Sequence, residues 1–194
     1  MTKAPLSLLS LLTAILVFAG CKSAPPPMVD FGGTIYTRVG MRFDSGRDNL
    51  MYTTNYVGMD TYVPPGSALI LEELGKKSMV LSDDLGNSYT IRYVKKHSKM
   101  PWGEWIEWNF SDAPMDMPMS LTEDERDAIA QGDVREGMSR EAVLMAWGYP
   151  PKSLTADCQQ GQLKYDARRF GSSGRVTINF DAEDRVEKMV GGGF

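Results

Sequence analysis

The side chains that carry most enzymatic chemistry are scarce in this chain. It holds one histidine, His97, and two cysteines, Cys21 and Cys158. A single imidazole cannot build a His-rich metal centre and leaves little room for a His-relayed nucleophile. With Lys95, Lys96 and Lys99 around it, His97 reads as a solvated loop residue. Glu104 and Glu107 have the residue type needed for the carboxylate pair of glycoside hydrolysis. Acids three apart are commonplace, however, and no second signature accompanies them. Gly171-Ser172-Ser173-Gly174 lacks the following Lys-Ser/Thr of a phosphate-cradling loop and reads as a hairpin loop. Met115, Met117 and Met119 alternate along one segment, and thioethers suit soft Cu(I). Methionine is abundant throughout, thirteen in all, so a linker that packs between domains explains them as well. These patterns yield no catalytic residue, no cofactor and no metal ligand set; Cu(I) binding at the methionines stands as a secondary alternative.

The first twenty-one residues are more informative. Lys3 precedes an apolar run, Leu6 to Phe18, which breaks into Ala19-Gly20 before Cys21. This is the layout of a secretory signal. The run is too short to cross roughly 30 Å of hydrocarbon as a helix. Phe18-Ala19-Gly20-Cys21 resembles the lipobox of bacterial lipoproteins, with Phe18 where Leu is usual. An ordinary signal cleaved near Gly20, with Cys21 a plain thiol, is the alternative. The lipobox resemblance implies that residues 1–20 are removed and that Cys21 carries three acyl chains, enough for stable anchoring. Lys22, standing where an Asp would imply inner-membrane retention, implies a periplasm-facing position on the outer membrane. Residues 21–33, with Pro25-Pro26-Pro27, form a stiff polar tether.

The formal net charge is −4, and loss of the signal, with one cation and no acid, makes it more negative. No Lys/Arg-rich block occurs, which argues against nucleic acid as a partner. If Cys21 is acylated, Cys158 has no intramolecular mate and reads as a free thiol, with an intermolecular disulfide as the alternative.

Further along, the patterning divides the chain into three. Residues 34–110 form a β domain. Ile35 to Val39, Leu50 to Val57, Ala68 to Leu71, Met79 to Leu81 and Tyr89 to Val94 read as strands, the last two joined through Asp83-Asp84-Leu85-Gly86-Asn87. Short strands at this spacing predict a small all-β barrel or sandwich. The pattern is loosely similar to a bacterial Src-homology-type barrel, including Pro64-Pro65-Gly66 before a strand. Trp102, Trp105 and Trp108 crowd at its end, as core or domain interface, or as a sugar-binding surface. Residues 111–120 read as a Pro/Met linker. Residues 121–194 then turn helical. Thr122 and Glu125 fit a capping box and Gly132 a stop. Ser139 is a second N-cap, with Met138 placed to staple onto Val143, and Gly148 with Pro150-Pro151 ends that helix. Leu163, Tyr165 and Ala167, then Val176, Ile178 and Phe180, alternate as strands. The fold class is therefore α+β, the second part running α-α-β-β-β.

That order resembles the SmpA/OmlA, or BamE-like, family of outer-membrane lipoproteins. The matching residues are Val134, Gly137-Met138-Ser139, Val143, Gly148-Tyr149-Pro150 and the closing Val176-x-Ile178-x-Phe180-Asp181 with Asp184-Arg185-Val186. Gly is commoner where Asp184 stands. The motif is structural: Gly137 allows a tight approach into the helix, and none of its residues is an acid, base or nucleophile. The resemblance implies a non-enzymatic accessory or scaffold for outer-membrane protein assembly or envelope integrity. Its partner would be an envelope protein complex, and the best-known family member is associated with phosphatidylglycerol. Aromatic and Arg residues dominate interface hot spots, which makes Tyr149, Pro150, Tyr165, Arg168, Arg169 and Phe170 the candidate partner surface, with a buried Tyr165 and solvated arginines as the alternative. A peptidoglycan-binding module using the β domain and tryptophans is the runner-up function.

Overall fold

The computed structural model describes residues 33–167 and 174–191. Residues 1–32, on which the expected signal, Cys21 and the expected tether fall, lie outside them, as do Arg168, Arg169 and Phe170. The described chain is a mixed α+β fold, rich in sheet. Its first half contains β1 (Thr34–Thr37), β2 (Met41–Phe43), β3 (Leu50–Tyr52), β4 (Thr61–Val63), β5 (Ala68–Leu74), β6 (Ser78–Ser82) and β7 (Ser88–Arg92). Two helices, α1 (Lys95–Ser98) and α2 (Trp102–Asn109), and the short β8 (Phe110–Ser111) follow. A six-stranded sheet runs β3-β7-β6-β5-β1-β8, and β2 pairs with β4 in a separate ribbon. The expected hairpin is present, with β6 and β7 antiparallel and Asp83 accepting from the backbone N–H of Leu85 and Asn87 across the turn.

This sheet does not close into the barrel foreseen for residues 34–110, since β3 and β8 are its two edges. Nor is the segment all-β. Trp102, Trp105 and Ile106 stand at i, i+3 and i+4, a helical spacing. All three are buried with Ile35, Leu69, Leu71, Met79, Leu81 and Ile91 of the sheet and with Met41, Phe43 and Val63 of the ribbon. A helix thus covers apolar surface that barrel closure would otherwise have to bury.

The second half contains α3 (Glu123–Gln131), α4 (Arg140–Trp147), β9 (Leu163–Asp166), β10 (Arg175–Phe180) and β11 (Val186–Gly191), the last three forming an antiparallel sheet in the order β11-β10-β9. The order α-α-β-β-β is as read from the sequence. Thr122 and Glu125 make both bonds of the capping box. Ser139 accepts from the Ala142 N–H at the start of α4. Ala128, Ile129, Val143, Leu144 and Trp147 of the helices share one buried cluster with Leu163, Tyr165, Val176, Ile178 and Val186 of the strands. Gly137 serves differently from expectation. A Cβ there would meet nothing within 4 Å, but φ is +84°, so the requirement is conformational and not one of close approach.

Glu125 is nearly fully buried and ties three segments together. Its carboxylate accepts from the backbone N–H of Thr122 at 2.9 Å and of Ser139 at 2.7 Å, and pairs with the Arg185 guanidinium at 3.4 Å. Burial alone raises the pKa of this carboxyl, but the bonds from Ser139 and Thr122 outweigh it, and the group titrates below the ordinary glutamate range.

The two halves interlock through main chain. The Gly40 N–H donates to the Met145 carbonyl at 2.6 Å. The N–H groups of Val57 and Gly58 donate to Asp166 and Ala167 at 3.1 and 2.8 Å, on the side of β9 away from β10. Val57 is itself a member of the second core. A Cβ on Gly40 would run into the Ala146 carbonyl oxygen and the Tyr62 ring and hydroxyl.

Two outcomes follow for stability. Gly40→Ala should lower stability by about 1–3 kcal/mol, the usual cost of forcing atoms into a packed site. Both cores should still melt in one calorimetric transition, because each half completes the other; two separated transitions in the unaltered protein would contradict the interlock. Removing the Glu125 carboxylate (Glu125→Ala) should cost about 2–4 kcal/mol through lost charge-assisted bonds and buried donors left bare. Its contribution is fully present above the unfolded glutamate pKa of about 4.3 and is lost as pH falls through the lower folded value. Urea melts should therefore show a shallower acid loss in Glu125→Gln than in the unaltered protein.

Candidate functional site

A glycine and two prolines decide where an aromatic-walled cleft forms. α4 stops at Gly148, whose φ of +71° reverses the chain and whose N–H closes the helix on the Leu144 carbonyl at 2.9 Å. Pro150 and Pro151 forbid further helix. Residues 149–159 then run across α1 and α2. The N–H groups of Leu154 and Thr155 both donate to the Pro151 carbonyl, closing a tight turn. The Ser153 N–H donates to the His97 carbonyl at 3.2 Å, and the Thr155 hydroxyl accepts from the Lys164 N–H at 2.9 Å.

The far end of this segment is held by Arg140. Its guanidinium makes a two-pronged pair with Asp184 at 2.7 and 2.8 Å and lies 3.8 Å over the Phe180 ring. It also donates to the carbonyls of Cys158 and Gly161 at 3.4 and 3.0 Å. Asp184 adopts φ +61°, the left-handed conformation that favours glycine, and its side chain gives the buried Arg140 its counter-charge.

On the opposite wall the α2 stripe continues outward. Trp102 and Trp105 are buried and stack at 5.5 Å. Trp108, one step further at i+3, is half-buried and meets Tyr149 edge-on at 4.9 Å. Lys152 lies 5.2 Å from the Trp108 ring and 3.4 Å from the Glu104 carboxylate. Between these walls is a partly enclosed cleft of about 160 Å³, lined by Met100, Trp105, Trp108, Tyr149, Pro150, Pro151, Lys152 and Cys158 among others. Its polar lining is largely engaged already. Thr53 and Ser98 share a hydroxyl–hydroxyl bond at 2.6 Å, and Asn109 Nδ2 donates to the Trp105 carbonyl at 2.6 Å.

Two of the residues singled out from the sequence, Tyr149 and Pro150, line this cleft. Tyr165 does not belong to any outer surface. It is fully buried on the core face of β9, its hydroxyl donates to the Gly148 carbonyl at 2.8 Å, and its ring meets Trp147 edge-on. Arg168, Arg169 and Phe170 lie outside the described residues. The tryptophans do not form an open three-ring platform, because two of them are buried. Met115 and Met117 pack against the second core, whereas Met119 is 96% exposed, which divides the three thioethers between protein and solvent. Among the described residues no three His, Cys, Asp or Glu side chains converge as a metal-ligand group.

Lys152, Thr155 and Cys158 entered the site unannounced. Their sequence signal is weak: a Pro-Pro pair followed by polar residues reads as an ordinary connection. The Cys158 thiol is half-buried, and burial chiefly, with the Asp157 charge, pushes its pKa above the ordinary thiol value against the opposing effect of Lys152 and Arg140. A thiol held protonated, with no imidazole in the cleft lining, is a poor nucleophile.

No family model, curated protein or solved structure matches this chain. The reactivity of Cys158 checks the description of the cleft. At neutral pH a thiol reagent such as a disulfide chromophore should modify it several-fold more slowly than a free cysteine peptide. The rate should keep rising at pH values above those where the peptide has levelled off. Fast modification at neutral pH would mean an exposed thiolate and a different lining.

Proposed function

We propose that this protein is a non-enzymatic, lipid-anchored lipoprotein of the bacterial outer membrane, facing the periplasm. It serves as a scaffold or accessory in outer-membrane protein assembly or envelope integrity, through protein–protein binding. Its second half is read as a BamE-like domain. The α-α-β-β-β order and the Gly137-Met138-Ser139 entry into α4 support that reading. So does the bridge between Ser139 and Arg185, which docks the entry on the closing hairpin. The first half is a β-rich unit fused onto it through the Gly40, Asn55 and Val57 contacts.

The observation that carries the binding role is the cleft at the junction of the two halves. Aromatic and proline side chains form much of its wall, with Lys152, Asp157 and Cys158 among the rest of its lining. Proteins present such concave apolar sites to partner side chains or ligands. With a tethered anchor at Cys21, the body would meet partners at the membrane surface.

Fractionation of cells tests the anchoring, and co-purification tests the role. The unaltered protein should be labelled by fatty acid and recovered with outer membranes. Cys21→Ser should lose the label and leave the membrane fraction. Detergent-solubilised protein should co-purify with an outer-membrane protein complex at fixed stoichiometry. Sedimentation with purified sacculi in the absence of any protein partner would overturn the scaffold reading.

A further inference from the structure

A second feature borders the cleft and differs from it in chemistry. The one-turn helix α1 turns Ser98 inward, where it lines the cleft, and leaves Lys95, Lys96 and His97 exposed, with Lys99 exposed just beyond it. The turn between β5 and β6 brings two more cations to the same end of the molecule: the Tyr93 N–H donates to the Lys77 carbonyl at 2.9 Å, and Lys76 and Lys77 are both exposed. Lys152 stands at the cleft itself, and the Ser153–His97 bond fastens its segment to α1. Among the described residues, Lys152 of these cations has an ion pair, with Glu104. Asp157 in the lining and Glu107 on α2 oppose them, but the exposed lysines of α1 and of the β5–β6 turn outnumber these acids, so positive charge prevails on this side of the cavity.

Size decides what the cavity accepts. About 160 Å³ is close to the roughly 150 Å³ that holds one benzene ring. It takes a single aromatic side chain; a membrane acyl chain is several times too long. Thr53, Ser98, Asn109 and Thr155 already spend hydrogen bonds within the protein, while Asp157 and Gln159 complete the polar part of the lining. The lysines beside the cavity ask for negative charge around its guest. We infer that the cleft is a docking site for an acidic segment of a partner protein, which inserts one aromatic side chain into the cavity lined by Met100, Trp108 and Pro150 while its carboxylates face Lys95, Lys96 and Lys99. The inference rests on the protein-binding role proposed above and names the chemistry of the partner.

The test uses the full-length protein in neutral detergent and a fluorescein-labelled acidic peptide, Asp-Glu-Asp-Phe-Asp-Glu, followed by anisotropy. Binding should saturate, weaken at least tenfold when the Phe is replaced by Ala, and weaken with rising salt. Lys95→Gln, Lys96→Gln and Lys99→Gln together touch only exposed side chains, leave the core intact, and should also weaken it at least tenfold. Trp108→Ala should abolish the preference for Phe over Ala, and bound peptide should slow modification of Cys158. Three results would each overturn the inference: no saturable binding, equal binding of the Phe and Ala peptides, or binding only to phosphatidylglycerol vesicles. None of them bears on the lipid anchor, whose failure shows separately as loss of fatty-acid label and membrane recovery.

Discussion

The carbonyls at the ends of α3 and α4 are satisfied largely by donors from outside those helices, and the architecture depends on this. An α-helix leaves its last carbonyls without internal partners. Tyr62 donates its hydroxyl to the Ile129 carbonyl at 2.6 Å, and Arg42 donates to Gly132 at 2.6 Å. Asn55, buried and at φ +49°, donates its amide to both Trp147 and Tyr149 at 2.7 and 3.0 Å. All three donors come from the β-rich first half. The positive Arg42 guanidinium also lies where the helix dipole is negative, a favourable placement. Burial lowers the Arg42 pKa, partly offset by Tyr62 and Asp133, and it raises that of Tyr62 well above the ordinary phenol. These groups trade hydration for bonds to helix ends, although Arg42 Nε is buried without a partner, and separating the halves would strip the Trp147 and Tyr149 carbonyls of the Asn55 donor.

That coupling fixes the cleft. Asn55 holds the exit of α4 at Tyr149, and Tyr165 holds the same turn from the core side through Gly148. Arg140 holds the segment's far end, and the Ser153–His97 bond holds its middle to α1. A loop pinned at three places presents Pro150, Pro151 and Lys152 with little freedom left to lose. Preorganisation of this kind reduces the entropic cost that otherwise consumes much of the energy of association.

Local chemistry made the second half legible in the sequence. Thr122-x-x-Glu125, Ser139 and Gly148 act within a few residues of themselves, and their caps and stops appear where the residue types put them. Strict alternation placed Leu163, Tyr165 and Ala167 on one face correctly; that face is the core, which removes Tyr165 from the candidate surface. The first half was harder to read. β2 and β4 are three residues each, too short for periodicity to register. The parallel pairing of β3 with β7 links residues some forty apart, which no local pattern announces. The tryptophan segment is a helix whose stripe shows only if Trp102, Trp105 and Ile106 are counted at a period of 3.6 instead of as a cluster. The cleft itself arises from the meeting of two distant segments, so only its Tyr149-Pro150 corner was visible beforehand.

Asp184 shows how a residue in a strained turn can serve a distant wall of the fold. Glycine would satisfy the turn between β10 and β11 without strain. Asp accepts the left-handed conformation at some cost and supplies a carboxylate to a guanidinium whose side chain is only 6% exposed. A buried cation stripped of its partner is among the more costly defects a fold can carry. Arg140 in turn spends its remaining donors on the carbonyls of Cys158 and Gly161, so the hairpin turn and the cleft wall share one side chain. The charge at position 184 thereby reaches the cleft wall through two links of direct contact, and the shape of the cleft is tied to the turn between β10 and β11.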